Sequence, residues 1–480
     1  MAICLIGFFG HVGMIGFAFL GYALFALVLY DFQKRLDEGL PLIQLVGVLA
    51  TLQWVIGPLL AYNADLDFGK YSMRVGEEVY FSYALPGTAA MLAGLYLTGA
   101  AVRQREVLRL IAPRVCLWMG LVLGAISLVG EIASRFGPET LKFGFLLLSQ
   151  LRYIGALYLF RWRSPWRWPL IGLYLFPLVS QTAESAMFHD LLIWLAIVFC
   201  YWFALKRRSL KQKWVGLAAT AFFVFTIQSI KSSYRDKVWA GEKASFIDEV
   251  ANFWSSKENF TSDYTKAGNI IRINQGWIIA TVLSYVPDSE PHANGDTVVT
   301  AVSAALIPRF LDPDKEGAGG RENFMRFTGL ILTDNTSMGI SPLGEAYANF
   351  GVFGGIIAML VYGLLFGLAV RYCFQFSLKH PHFIFWIPLI FYQAIKAETE
   401  LVSVLNQITK GGLLAFGCYW MVHTYFLPLI SGHGTVDAGR RPRKGRRKPQ
   451  ARMADSQIGV ASAAGTRLQP ASPYETGDSR

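Results

Sequence analysis

The feature that most constrains this chain is a series of apolar segments, each about 20 residues long. A helix of that length crosses the roughly 30 Å hydrocarbon core of a bilayer. Only 16% of the 480 residues are charged and 53% are hydrophobic, whereas soluble proteins carry roughly a quarter charged residues. We therefore expect an all-α polytopic membrane protein with about eleven spans, near residues 5–30, 41–62, 80–101, 115–133, 143–160, 168–184, 187–205, 215–233, 345–370, 383–400 and 410–430.

The short loops between these segments differ strongly in positive charge. One set, near residues 31–40, 102–114, 161–167, 206–213 and 371–382, holds sixteen Lys and Arg residues, and the opposite set holds four. Basic loops stay on the cytoplasmic side. The imbalance predicts a protein of the bacterial inner membrane with a periplasmic N-terminus and a cytoplasmic C-terminus. Residues 1–233 would then hold eight spans, 234–340 a large periplasmic loop, and 341–431 three more spans.

The C-terminal 432–480 segment has a different composition from the rest of the chain. It carries a basic run at residues 440–448, followed by Ala, Ser, Gly and Pro. Such a composition cannot bury a core and predicts disorder. Beside the cytoplasmic end of a span, this run favours contact with anionic membrane lipid over nucleic-acid binding.

The predicted 234–340 loop is far longer than an ordinary connection, and loops of that length are typically functional. Residues 268–286 predict one amphipathic helix at the interface or re-entering the membrane. Residues 297–306 predict a second, short helix. Near residue 341, Ser341 and Pro342 form a good N-cap and first turn for the next span.

Several basic side chains of this loop are candidate anion ligands, since the planar fork of Arg suits phosphate. Neighbouring Pro, Gly and aromatic residues favour Arg272, Arg309 and Lys315, with Arg235, Arg321 and Arg326 second. Solvated surface charge is the alternative for each of them, and for Lys237, Lys257 and Lys266 it is the preferred interpretation. Further along, Lys396 has the i,i+4 spacing to pair with Glu400.

Four motifs in residues 272–351 resemble those of bacterial Wzy-type polysaccharide polymerases, which are related to O-antigen ligases. They are Arg272 with NQGW at 274–277, IPR at 307–309, PDK at 313–315 and GEAYANFG at 344–351. The resemblance is specific over roughly residues 230–370. One departure is Glu316, where the family often has Pro after the Lys.

The resemblance implies a GT-C-like, inverting and metal-independent glycosyltransferase without a cofactor. It would transfer a growing glycan from undecaprenyl diphosphate to a lipid-linked oligosaccharide repeat unit at the periplasmic face. Candidate protein partners are a chain-length co-polymerase and a flippase. The expected roles are catalysis by Glu345, Arg309 and Arg272, diphosphate binding by Arg272, Arg309, Lys315, Arg235, Arg321 and Arg326, and a substrate groove lined by Tyr347, Asn349, Trp277 and His292.

Three other functions remain open at this stage. An O-antigen-ligase-like transferase would use the same donor and leaving group. A polysaccharide or lipid transporter would carry charges along a pore, whereas the charges here concentrate in one loop. A non-catalytic scaffold would tolerate neutral substitution of Arg309 and Lys315. For Glu345, stabilisation of the helix dipole competes with a role as general base.

Overall fold

The computed structural model describes residues 14–99, 104–138, 141–205, 208–240, 245–255, 262–307, 320–333 and 336–431. Over these residues the chain is helical throughout, without a β-strand. The helices are α1 (Met14–Arg35), α2 (Leu42–Asn63), α3 (Glu77–Leu97), α4 (Gln104–Leu110), α5 (Pro113–Phe136), α6 (Lys142–Ser149), α7 (Leu151–Arg161), α8 (Arg167–Ser185), α9 (His189–Leu205), α10 (Leu210–Trp239), α11 (Phe246–Ser255), α12 (Asp263–Ile273), α13 (Gly276–Tyr285), α14 (Asp296–Leu306), α15 (Arg321–Thr328), α16 (Ser341–Lys379), α17 (Ile387–Ile395) and α18 (Leu401–Leu429).

Six helices in the described residues are long and apolar enough to cross a membrane, namely α1, α2, α5, α10, α16 and α18. The prediction of a multi-pass, all-helical membrane protein is thereby confirmed. The predicted number of eleven spans is not confirmed. The predicted 143–160 span divides between α6 and α7, and the predicted 383–400 span ends as a helix at Ile395.

The predicted helix over 268–286 is wrong, because the chain breaks at Asn274 and Gln275 into α12 and α13. The reason lies in α2, where residues Leu52–Ile56 form a π-helical segment. In this segment the Gly57 N–H bonds to the Leu52 carbonyl and Pro58 has no N–H, so neither donates to the Gln53 carbonyl. The Gln53 carbonyl accepts a hydrogen bond from the Gln275 backbone N–H at 3.1 Å. α13 is consequently buried among the other helices rather than spread along an interface.

Helices α3 and α16 pack closely along their length because glycines remove side chains at the contact. A Cβ on Gly363 would lie 2.1 Å from the Met91 carbonyl oxygen, and one on Gly94 would lie 2.4 Å from the Leu360 carbonyl oxygen. Gly355 lies against Tyr83 and Gly367 against Thr98 in the same way.

The start of α16 follows the sequence prediction, and its interior does not. Ser341 Oγ accepts a hydrogen bond from the Gly344 backbone N–H at 3.3 Å, as a capping residue does. The helix is then interrupted at Gly351, whose φ of 68° and ψ of −163° are accessible in practice only to glycine. Gly351 therefore bends the helix directly after the GEAYANFG motif.

The described residues all belong to one compact unit. The basic C-terminal segment lies outside the described residues. Four of the five cysteines, Cys116, Cys200, Cys373 and Cys418, are free and buried, as expected for packing residues.

Candidate functional site

Two of the predicted diphosphate ligands, Arg235 and Arg272, come together between α10 and α12. The two helices are joined by reciprocal hydrogen bonds between Ser229 and Asn269. Arg272 follows Asn269 by one helical turn and so faces α10. Both arginines are half-buried. Burial lowers the pKa of Arg272, and the like charge of Arg235 lowers it further.

Lys231 is a third cation at this place, which sequence reasoning did not select. It precedes Arg235 by four residues and so shares its face of α10. Its charge interacts with those of both Arg235 and Arg272. That i,i+4 spacing to a candidate ligand is the signal that would have found it. We call Lys231, Arg235 and Arg272 the basic cluster.

The arginines of α15 have a different environment. Arg326 forms ion pairs with Glu290 at 2.7 Å and Asp296 at 3.2 Å. The hydrogen bond from Arg326 to Glu290 raises the pKa of the arginine. Arg321 donates to the Leu332 carbonyl at 3.0 Å. These contacts link α15 to the ends of neighbouring helices and leave Arg326 balanced by two carboxylates.

Glu345 lies in a fully enclosed position, with 2% of its surface exposed. Its Oε1 accepts a hydrogen bond from the Thr297 hydroxyl at 2.8 Å. Its Oε2 accepts one from the Leu401 backbone N–H at 2.9 Å. One carboxylate therefore joins α14, α16 and the first residue of α18. Glu345 therefore lies where the 286–297 segment meets α16, enclosed by protein contacts.

The residues predicted to line a groove beside Glu345 also lie in packed contacts. Asn349 donates to the Thr297 hydroxyl at 2.7 Å and accepts from the Gly295 backbone N–H at 3.0 Å. The Tyr347 hydroxyl donates to the Val286 carbonyl at 3.1 Å. His292 Nδ1 is 3.3 Å from the Ala348 carbonyl oxygen. These contacts fasten the 286–297 segment to α16, so the groove expected at these residues is filled by the protein itself.

Trp277 was expected in the same groove and instead belongs to the core. Its ring lies edge-on to Tyr71 at 5.2 Å and to Phe324 at 6.4 Å between centroids. Only 6% of its surface is exposed, which leaves no ring face for a sugar to stack on. The aromatic residue that the motif contributes therefore holds α13 in place.

The segment between α17 and α18, residues 396–400, lies beside the basic cluster. Glu398 Oε1 is 3.1 Å from His189 Nδ1, and the charges of Glu398 and Lys231 attract each other. Lys396 pairs with Asp190 at 2.7 Å. The predicted pairing of Lys396 with Glu400 does not occur, because α17 ends at Ile395 and the i,i+4 geometry is lost.

Arg309 and Lys315 lie outside the described residues, so their expected roles stay predictions. A cavity of about 80 Å³ lies elsewhere, lined by Gly39, Leu40, Gln104 and Phe374 among others, and none of the predicted site residues lines it. In the described residues, no group of His, Cys, Asp and Glu side chains has the arrangement to hold a metal ion.

Comparison with known proteins assigns no family, since no protein-family model, curated protein or solved structure matches the chain.

Proposed function

We propose that the chain is a polysaccharide polymerase of the bacterial inner membrane. It transfers a growing glycan from undecaprenyl diphosphate to a lipid-linked oligosaccharide repeat unit, at the periplasmic face. The N-terminus is periplasmic and the C-terminus cytoplasmic in this proposal, following the loop charges. The observation that carries it is the basic cluster, in which the charges of three half-buried cations interact near the end of a membrane-length helix.

Like charges held together cost free energy, which a bound anion relieves. A diphosphate carries two phosphate groups, and the planar guanidinium group of arginine can donate paired hydrogen bonds to their oxygens. Arg235 is suited to binding a diphosphate because its Nε is buried without a hydrogen-bond partner among the described residues. Its guanidinium is also oriented by the Trp239 ring, 4.8 Å away.

In the transfer reaction, the cations need only stabilise the negative charge that develops on the leaving group. When the glycosidic bond to the lipid diphosphate breaks, negative charge develops on the phosphate oxygen that leaves. Cations fixed beside that oxygen stabilise the charge without rearranging during the reaction. Arg272 and Arg235 take this role, joined by Lys231. Arg309 and Lys315 are assigned to the same leaving group from their motifs alone.

Gene deletion with complementation tests the proposal. Complementation with wild type restores long surface glycan, and Arg272→Ala leaves single repeat units at normal protein level. The matched control is Lys266→Ala on the same helix, since Lys266 pairs with Asp263 at 3.0 Å and is solvent-facing. Chain length that is unchanged by the deletion contradicts the proposal. Accumulation of full-length lipid-linked polymer assigns the ligase function instead.

A further inference from the structure

Glu398 is a partly exposed carboxylate that lies beside the basic cluster. Its side chain is 41% exposed, whereas Glu345 is enclosed with both oxygens occupied. Glu398 and Lys231 attract each other without forming a direct ion pair. The carboxylate and the cations are therefore neighbours whose charges interact without direct contact between Glu398 and Lys231.

The backbone around Glu398 is held from two sides. The neighbouring Ala397 carbonyl accepts a hydrogen bond from Trp54 Nε1 at 3.2 Å. The Glu398 carbonyl packs so closely on Gly339 that a Cβ there would lie 2.7 Å from it. His189 Nδ1 fixes one oxygen of the side chain. The second oxygen is thus presented from a rigid support, as a reacting group requires.

The charges around Glu398 favour its ionised form. Burial acts to raise its pKa, but the hydrogen bond from His189 and the charges of His189, Lys396 and Lys231 together bring the pKa below its ordinary value. Asp190 offsets part of the effect of Lys396 by pairing with it. Glu398 is therefore a carboxylate base at neutral pH.

We propose that Glu398 is the general base of the transfer reaction and His189 its positioning residue, an inference that rests on the polymerase function proposed above. As the acceptor oxygen forms its bond to the anomeric carbon, its proton passes to Glu398. The bond from that carbon to the phosphate oxygen breaks, and its electron pair leaves with the diphosphate at the basic cluster. Inversion requires that the base and the leaving group act on opposite faces of the reacting carbon.

The first test compares carboxylate variants. Membranes carrying each variant are supplied with lipid-linked repeat units extracted from the deletion strain, and initial polymerisation rates are measured. Glu398→Gln lowers the turnover rate by about 100-fold, at the lower end of the range for a general base, with little change in KM. Glu398→Asp keeps part of the rate. A Glu398→Gln enzyme with wild-type turnover overturns the assignment.

The second test uses pH, which a merely structural residue does not shift. Wild-type activity falls as the pH drops through the pKa of Glu398, because the protonated carboxyl cannot accept the proton. His189→Ala removes a group that lowers this pKa, so the acid limb moves to higher pH. His189→Asn keeps the hydrogen bond and moves the limb less. The control Glu184→Gln, at an exposed carboxylate of α8, leaves the limb in place.

These outcomes separate the two proposals. If Arg272→Ala abolishes polymerisation while the acid limb is the same in wild type and His189→Ala, the polymerase stands and the base is another group. If the deletion strain makes normal glycan, the polymerase itself fails. Should Glu398→Gln not accumulate as folded protein, the pH profiles of the two His189 variants decide the assignment.

Discussion

Two groups of arginines from the 234–340 segment and its flanking helix have opposite surroundings. In the basic cluster, the strongest charge that the described residues exert on Arg272 is the like charge of Arg235. On α15, the strongest charges acting on Arg326 are the opposite charges of Glu290 and Asp296. The residue type is the same in both places, and only the neighbours differ.

The difference separates binding from structure. Opposite charges in contact stabilise the fold modestly. Like charges held near one another do not, and an anionic ligand between them would relieve their repulsion. The basic cluster is therefore the place where substitution should affect activity without loss of stability. The contacts of Arg326 are where it should affect stability with little loss of activity.

Charge reversal in the basic cluster is expected to have the largest effect, and it tests whether the cluster binds an anion rather than stabilising the fold. Arg272→Glu places a carboxylate beside Lys231 and Arg235, so repulsion becomes attraction. We expect polymerisation to fall by more than about 100-fold, while the midpoint of thermal unfolding stays constant or rises. Glycan ladders and a thermal melt in detergent measure the two effects. A parallel loss of stability and activity would make the cluster a structural element.

A smaller effect is expected at the residue that sequence reasoning missed. Lys231→Gln removes one of three charges, and a loss of about 1 kcal/mol corresponds to roughly a five-fold lower rate. The matched control is Lys211→Gln, an exposed position near the other end of α10. Initial rates with extracted repeat units measure the difference. Equal rates for the two variants would restrict the cluster to its two arginines.

The sequence was most informative where the determinants are local. Apolar length identified the membrane-length helices, Ser341 and Pro342 marked the start of α16, and the 297–306 pattern predicted α14 almost to the residue. Each depends on neighbours within a turn or two of helix. The helical class of the protein could be predicted for the same reason.

The sequence-based predictions failed where contacts between distant parts of the chain determine the structure. The break between α12 and α13 depends on the Gln53 carbonyl of α2, more than 200 residues earlier. The enclosure of Glu345 depends on Thr297 and on the Leu401 backbone N–H. A motif such as GEAYANFG names these side chains without saying whether they face substrate or protein. Glu398 and His189, 209 residues apart in sequence, carried no local signal at all.

The ion pairs of Arg326 are expected to stabilise the fold rather than to bind substrate. Arg326→Ala removes two partly exposed ion pairs, and pairs of this kind contribute up to about 1 kcal/mol each. We expect the free energy of unfolding to fall by about 1 kcal/mol at low salt. The difference should shrink at 1 M salt, where the Debye length is about 3 Å. Glycan chain length should follow the amount of folded protein.

Its control is Arg326→Ala in a Glu290→Gln, Asp296→Asn background, where the arginine has already lost both partners. There the substitution should cost no further stability, since a double-mutant comparison isolates the ion pairs. A loss of polymerisation well beyond the loss of folded protein would place Arg326 with the basic cluster. In that case its two carboxylates are a resting arrangement that a diphosphate displaces, and charge balance alone does not distinguish the two groups of arginines.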